Sequence, residues 1–171
     1  MGTLRLADVL VLWTWGPWSF DRTICMERVK DSLLFTAFLV SAGIVFLLIW
    51  KGLLGWPSPI LGAKASLSGG SKLIAFYASS CLISPIAEEL FFRGIIYRIM
   101  REKWNACVCI GIVSVLFASI HYYFNGQALV PFLGSLIFCL GYEKTKSILT
   151  PALLHITGNL IIYFFPLFRA V

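Results

Sequence analysis

The sequence predicts an all-α fold: a polytopic membrane helical bundle with about five to six transmembrane helices. Of the 171 residues, 59% are hydrophobic and only 13% are charged, whereas a soluble domain carries about 25% charged residues. The mean hydropathy is +0.87. Apolar runs long enough to cross a bilayer follow one another along the chain. We therefore expect one domain, with no separate soluble part.

The first apolar segment is "MGTLRLADVLVLWTWGPWSF", residues 1–20. Asp8 interrupts it and no small-residue cleavage site follows, so it is a poor match to a signal peptide. Its tryptophans, Trp13, Trp15 and Trp18, are typical of a membrane interface. The segment is predicted to form either a short membrane-spanning helix or an interfacial one.

Later apolar runs predict the other helices, and a loop rich in Gly, Pro and Ser separates the first two of them. The fourth run is short, contains Pro131, Gly134 and Gly141, and is followed by a turn at "EKTKS". The predicted spans are residues 33–50, about 72–100, 105–122, 128–142 and 149–168.

The formal net charge is +6, but the basic residues lie between the apolar runs and form no stripe with interleaved aromatic residues. This pattern argues against nucleic acid as a partner and is typical of topogenic loop charges. With five spans, one side of the membrane has more Lys and Arg than the other, which predicts that this side is cytoplasmic. Its basic residues are Arg5, Arg22, Arg28, Lys30, Arg98, Arg101, Lys103, Lys144 and Lys146, against Lys51, Lys64, Lys72 and Arg169 on the other side.

Few ionisable residues fall within the apolar spans, and such residues usually face a bundle interior or a wet cavity. They include both histidines of the chain. The set is Glu88, Glu89, Arg93, His121 and His155.

The stretch "PIAEELFFRG", residues 85–94, contains three of these charges. Glu89 and Arg93 are four apart in the favourable order for a helical ion pair, so we expect them to neutralise each other. Glu88 is rotated from Glu89 by about 100°, which leaves its carboxylate for chemistry as a general base. Pro85 removes one hydrogen bond in mid-helix, and the resulting opening would admit water.

Two further motifs lie on later spans. "FASIH" places Phe117 and His121 on one helical face, and "HITGN" does the same for His155 and Asn159. For upright helices, the depths of the two histidines in the membrane would differ by about 10 to 15 Å. This difference requires tilted helices or a deeply placed fourth span if the histidines are to meet.

Each motif alone has a structural explanation. A membrane histidine or asparagine often forms a hydrogen bond between helices, and a Glu–Arg pair can serve only to make the charges tolerable. Together, however, the motifs contain all the intramembrane ionisable residues at helical spacing. This combination favours a reaction centre.

The three motifs together resemble the family of membrane-embedded CAAX prenyl endopeptidases and bacteriocin-processing proteins, often called the CPBP or ABI family. The family pattern is Glu-Glu-x-x-x-Arg, then Phe-x-x-x-His, then His-x-x-x-Asn or Asp. Here it occurs in the same order as "EELFFR", "FASIH" and "HITGN". The resemblance covers residues 73–165 and does not extend to the first 72 residues.

The resemblance implies a glutamate-type intramembrane peptidase. Glu88 and His121 would activate a water, and His155 and Asn159 would bind the developing oxyanion. Glu89 and Arg93 would support the site. The chain would then consist of an N-terminal membrane region, 1–72, and a catalytic helical core, 73–171, within one domain. The substrate would be a membrane-anchored or lipidated protein, or a C-terminal sorting helix, cleaved near its C-terminus in the bacterial cytoplasmic (inner) membrane.

Two alternatives remain open. The family was long described as metalloproteases, and Glu88, His121 and His155 offer carboxylate and imidazole ligands for a catalytic zinc. Because the HExxH spacing is absent, we expect no cofactor. A non-enzymatic immunity or scaffold protein, or a proton-coupled carrier, could use the same cluster, although a carrier more often shows internal repeats.

Overall fold

The computed structural model describes residues 26–54, 70–125 and 128–164, and within these ranges the regular structure is entirely helical. Each of the five spans that were predicted after the N-terminal segment contains a helix. They are α1 (Met26–Leu54), α2 (residues 70–101), α3 (Ala106–Asn125), α4 (Leu129–Thr145) and α5 (Leu149–Phe164). The predicted N-terminal helix and most of the loop before α2 lie outside the described residues.

The second helix, α2, is continuous but alternates between two helical geometries. The segments Gly70–Tyr77, Ser84–Glu89 and Arg98–Arg101 are α-helical, whereas Ala78–Ile83 and Leu90–Tyr97 are π-helical. The first π-helical segment ends just before Pro85, whose missing N–H and bulky ring disturb an α-helix. A wider helical turn accommodates this disturbance without ending the helix.

The bundle has an apolar exterior, and its interior contains charged side chains as well as apolar ones. Phe38, Ile74 and Tyr123 expose 67%, 71% and 83% of their surface, whereas Glu89 and Arg93 are fully buried. So large an exposed apolar surface needs a nonaqueous environment. This distribution fits a protein surrounded by lipid.

Two helical stretches, Leu73–Arg101 and Ala106–Tyr123, are long and apolar enough to cross a membrane by length and composition. Leu149–Tyr163 is a shorter apolar helix. The larger number of spans stays a prediction.

The interior is formed mainly where α3 packs against α4 and α4 packs against α5, and α1 lies along α4 and α5. Gly141 permits the close approach of α4 and α5, because a Cβ there would lie 3.0 Å from the Thr150 side chain and 3.2 Å from Leu154. Aromatic and small side chains from α2, α3 and α4 form the main apolar cluster. Its buried members are Phe92, Tyr97, Cys109, Val113, Phe117 and Cys139.

The fourth helix continues past residue 142, where the sequence predicted the turn to begin. It ends at Thr145. The next residue, Lys146, has a left-handed backbone (φ 51°), and its N–H donates to the Tyr142 carbonyl at 2.7 Å. Glu143 therefore belongs to α4, where it accepts hydrogen bonds from Tyr97 (2.8 Å) and Arg101 (3.1 and 3.3 Å). These bonds join the ends of α2 and α4.

Candidate active site

Three helices bring side chains to one carboxylate oxygen. Glu88 Oε2, on α2, lies 3.7 Å from Nε2 of His121 on α3 and 3.9 Å from Nε2 of His155 on α5. The Ser84 hydroxyl, one helical turn before Glu88, donates to the other oxygen, Oε1. The predicted difference in depth between the two histidines does not keep them apart, since both imidazoles reach the same oxygen.

His121 is oriented by its own helix. Its Nδ1 lies 2.9 Å from the Phe117 carbonyl oxygen. Because a carbonyl only accepts, Nδ1 carries the hydrogen, and in the neutral ring Nε2 then has the lone pair. The imidazole also stacks on the Phe117 ring, with centroids 4.3 Å apart and planes inclined by 28°. His121 thus presents a proton acceptor towards Glu88.

The predicted Glu89–Arg93 pair is present and fully buried. Arg93 Nη1 donates to Glu89 Oε1 at 2.9 Å, and both side chains have 0% exposure. Arg93 Nη2 donates to the backbone oxygen (3.1 Å) and the hydroxyl (2.5 Å) of Ser135 on α4. The guanidinium carbon also lies 5.1 Å from the ring centroid of Phe117 and 5.3 Å from that of Phe138. These contacts partly replace the hydration that the buried cation loses.

The same Glu89 oxygen binds His155. His155 Nδ1 lies 2.8 Å from Glu89 Oε1, and a carboxylate in an Arg pair accepts, so Nδ1–H is the donor. The ring stacks on Phe138, with centroids 4.8 Å apart and planes inclined by 22°. This arrangement turns Nε2 towards Glu88. Glu89 therefore orients a histidine as well as neutralising Arg93.

Asn159 lies one turn after His155 on α5, and its side chain reaches α2. Asn159 Nδ2 donates to the Ser80 carbonyl oxygen at 2.9 Å. Ser80 belongs to the π-helical segment before Pro85. The amide thus makes an interhelical bond, and its second N–H is the one left for the predicted oxyanion.

Exposure separates the site into an accessible and a buried part. The Glu88 and His121 side chains are 23% and 24% exposed, whereas His155 is 6% exposed and Glu89 is fully buried. The Glu88 Oε2 atom itself is buried, so the exposed part of Glu88 is the rest of its side chain.

Sequence reasoning missed three contributors: Ser84, Ser135 and Phe138. Ser84 had a local signal, because it precedes Glu88 by four residues and so lies on the same helical face. Ser135 and Phe138 had none, because they contact Arg93 and His155 from a different helix.

The fit of the zinc alternative can be tested on the donor atoms. The described residues contain no group of three or more His, Cys, Asp or Glu side chains placed to hold a metal ion. Both Nδ1 atoms are already engaged, by Phe117 and by Glu89, so a metal ion would have to bind at the Nε2 atom of each ring. The absence of a metal cofactor stays a prediction.

Comparison with known proteins bears on the whole cluster. A sequence model of the Rce1-like family, described as type II CAAX prenyl endopeptidase Rce1-like, matches residues 70–161, more than half of the chain. The chain belongs to the Rce1-like family. The match includes all six predicted site residues, so the resemblance to membrane-embedded CAAX endopeptidases is confirmed.

Two curated relatives support the same family. "UPF0177 protein YbdJ" of Lactococcus lactis subsp. lactis (strain IL1403) is 31% identical over 156 residues, which are 86% of this chain and 67% of that protein. "Putative membrane peptidase YdiL" of Bacillus subtilis (strain 168) is 34% identical over 80 residues, which are 47% of this chain and 32% of that protein. No solved structure matches the chain. Membership of the Rce1-like family and the apolar helices indicate a peptidase that is an integral membrane protein.

Proposed function

We propose that the chain is an intramembrane endopeptidase that cleaves near the C-terminus of a membrane-anchored protein, with Glu88 and His121 as the water-activating pair. The observation that carries the proposal is the convergence of Glu88 Oε2 and both histidine Nε2 atoms within 3.9 Å. A carboxylate, an imidazole acceptor and further polar groups that converge on one point are what peptide hydrolysis requires.

The chemistry follows from the hydrogen positions. A water beside Glu88 Oε2 and His121 Nε2 meets two acceptors, so it donates a hydrogen to each and its oxygen lone pairs face the substrate. As the water oxygen bonds to the scissile carbonyl carbon, its proton passes to Glu88. Glu88 returns this proton to the amide nitrogen when the C–N bond breaks, and the products are a carboxyl and an amine.

The developing oxyanion needs donors on its other side. His155 Nε2 faces the same space. Because Nδ1–H already donates to Glu89, Nε2 donates there in the doubly protonated, cationic form of the ring. The second N–H of Asn159 is the other candidate donor. In this scheme Glu89 and Arg93 set the orientation of His155 and do not touch the substrate.

The substrate is proposed to be a lipidated C-terminal peptide or a C-terminal sorting helix in a bacterial cytoplasmic membrane. Both curated relatives are bacterial. The apolar exterior of the bundle lets a membrane-anchored segment approach from the side.

The test is cleavage by purified protein in liposomes of two peptides, one carrying a C-terminal prenyl group and one carrying a C-terminal apolar helix. Glu88→Gln keeps the shape of the side chain and should lower the rate by at least about 100-fold. Glu102→Gln, at an exposed carboxylate on the end of α2, is the matched control and should cleave normally. Full activity of Glu88→Gln would remove Glu88 as the base.

The same variants address the non-enzymatic alternative. Mass spectrometry of membrane-protein C-termini should find shortened termini in cells with the wild-type protein and full-length ones with Glu88→Gln. If wild-type cells and liposomes both yield no product while a cellular phenotype persists in Glu88→Gln, a scaffold or immunity role is favoured.

A metal test is independent of the substrate. The proposed mechanism uses only side chains and water, so cleavage should be unchanged after dialysis against a strong chelator. Loss of activity on chelation, with recovery on adding zinc, would contradict the mechanism.

A further inference from the structure

The first π-helical segment of α2, Ala78–Ile83, is followed by a π-type hydrogen bond just before Pro85. The Ser84 N–H donates to the Ser79 carbonyl, five residues earlier. The next bond in this register would run from residue 85 to the Ser80 carbonyl. Residue 85 is proline, which has no N–H, so the π-helical register supplies no donor to Ser80.

Asn159 donates to that same carbonyl. Its Nδ2 lies 2.9 Å from the Ser80 oxygen, across the interface between α5 and α2. We propose that Asn159 supplies the hydrogen bond that Pro85 removes from α2, and thereby fixes the helix that carries Glu88 against the helix that carries His155. In this role one N–H of Asn159 positions the two helices, while the second N–H is still the candidate donor to the oxyanion.

A second interhelical bond makes this role geometrically effective. The Glu89–His155 bond (2.8 Å) also joins α2 to α5, nine positions after Ser80 on one helix and one turn before Asn159 on the other. Two bonds at separated points fix both the sliding and the rotation of one helix against the other. The distance they control is the 3.9 Å separation of Glu88 Oε2 from His155 Nε2.

The Asn159–Ser80 hydrogen bond matters because its surroundings are apolar. A backbone carbonyl without a donor is costly where water is scarce, so a helix break in a membrane persists only where neighbouring groups satisfy the freed backbone. Pro85 is fully buried. The break and the asparagine therefore form one device, in which Pro85 frees a carbonyl and α5 attaches to it.

The inference rests on the proposed function where activity is measured, and a double-mutant cycle tests it. The four proteins are wild type, Asn159→Ala, Pro85→Ala, and the two substitutions combined. Pro85→Ala restores a backbone N–H that can donate to the Ser80 carbonyl, so it replaces the lost side-chain bond. Asn159→Ala alone should lower kcat by about 10- to 100-fold with little change in KM, because the reacting groups are misplaced. The same change in the Pro85→Ala background should cost clearly less, and the loss of kcat that remains there reports the contribution of Asn159 to the oxyanion.

Thermal unfolding of the same four proteins provides a readout that needs no substrate. Asn159→Ala should lower the Tm clearly when residue 85 is proline and only slightly when it is alanine. Pro131→Ala is the matched control, because Pro131 lies in the first turn of α4, where a backbone N–H has no helical partner. Combining Pro131→Ala with Asn159→Ala should restore neither kcat nor the Tm.

Equal losses of Tm in both backgrounds would overturn the inference. Equal losses of kcat with a Tm that does not change would assign Asn159 to the oxyanion instead. If Pro85→Ala is itself inactive, the Tm cycle alone decides. If no protein cleaves, including wild type, the proposed function fails, while the Tm cycle still tests the bond between Asn159 and Ser80.

Discussion

The two oxygens of the Glu88 carboxylate have different surroundings. Oε1 accepts a hydrogen bond from Ser84, one turn earlier, whereas Oε2 faces the imidazoles of His121 and His155. A carboxylate held by one oxygen has fewer orientations available, so the other oxygen keeps its position beside the two imidazoles. We therefore expect Ser84 to contribute to activity through the geometry of Glu88.

Removing the Ser84 hydroxyl should affect turnover more than binding. A hydrogen bond to a charged group contributes about 1.5 to 3 kcal/mol, so Ser84→Ala should lower kcat by about 10-fold or more and leave KM nearly unchanged. Ser84→Thr and Ser84→Val have nearly the same shape and differ in the hydroxyl. Steady-state kinetics should show clearly higher kcat for Thr than for Val, and equal values would contradict this role.

Glu89 and Arg93 form a buried ion pair in the interior of the bundle. Both side chains are fully buried, and Arg93 also binds Ser135. A buried pair contributes little net stability compared with apolar side chains, but removing one partner leaves an uncompensated charge. Replacing both residues of the pair should therefore cost much less stability than replacing only one of them.

Arg93→Met should destabilise the protein by about 3 to 5 kcal/mol. For a chain of this length, this corresponds to a fall in Tm of at least about 6 °C. The double variant Glu89→Gln with Arg93→Met removes both charges and should recover most of the Tm, but not the activity, because His155 loses its carboxylate. Thermal unfolding in detergent provides the measurement, and a double variant less stable than Arg93→Met would contradict the argument.

Among the helices, α2 shows what the sequence can and cannot predict. Its extent and the Glu89–Arg93 pair were predictable, because both depend on contacts within four residues. Pro85 predicted a disturbance, but not that the helix would widen into a π-helical segment and direct the Ser80 carbonyl at Asn159. That outcome depends on α5, which lies far away in the sequence.

The end of α4 illustrates the same limit for charged residues. The sequence "EKTKS" predicted a polar turn, yet Glu143 lies within the helix and binds Tyr97 and Arg101 of α2. The Arg101 hydrogen bond, assisted by those from Lys146 and Tyr97 and opposed by partial burial, lowers the pKa of Glu143 from 4.5 to about 2. Residue 143 lies beyond the apolar part of α4, where water reaches it.

This lowered pKa predicts a pH-dependent contribution to stability. The ionised Glu143 stabilises the fold above about pH 4.5, and the contribution is lost as the pH falls from 4.5 to about 2. Glu143 and Arg101 are 24% and 33% exposed, so screening limits the effect to about 1 kcal/mol, or a Tm change of about 2 to 4 °C. Glu143→Gln should show this deficit near pH 7.

The deficit of Glu143→Gln relative to wild type should shrink towards zero near pH 2, because wild type is then protonated as well. Glu102→Gln, at an exposed carboxylate near the same helix ends, should match the wild-type Tm throughout. Thermal unfolding in detergent as a function of pH distinguishes the two variants. A deficit that is constant over this range would show that the loss at residue 143 is not electrostatic.

For the whole molecule, the sequence indicated which polar residues come together better than it indicated how the helices cross. The six predicted site residues were named from three local motifs, and the structure connects all of them except Asn159, which binds the Ser80 carbonyl instead. The difference in depth expected for the two histidines came from treating the helices as upright and independent. Helix crossing depends on packing contacts such as Gly141 against Thr150, and no local pattern encodes these contacts.

Orientation in the membrane is a property of the whole chain, and the unequal distribution of Lys and Arg predicts it. The start of α3 should face the cytoplasm, and its end should face the opposite side. Lys103, just before α3, and Tyr123, near its end, are both exposed.

In a background without native cysteines, a membrane-impermeant thiol reagent added to intact cells should label Tyr123→Cys and not Lys103→Cys. Inverted vesicles should give the opposite result, because the other face is then outside. Labelling of Lys103→Cys in intact cells, with protection of Tyr123→Cys, would show that the bundle has the reverse orientation.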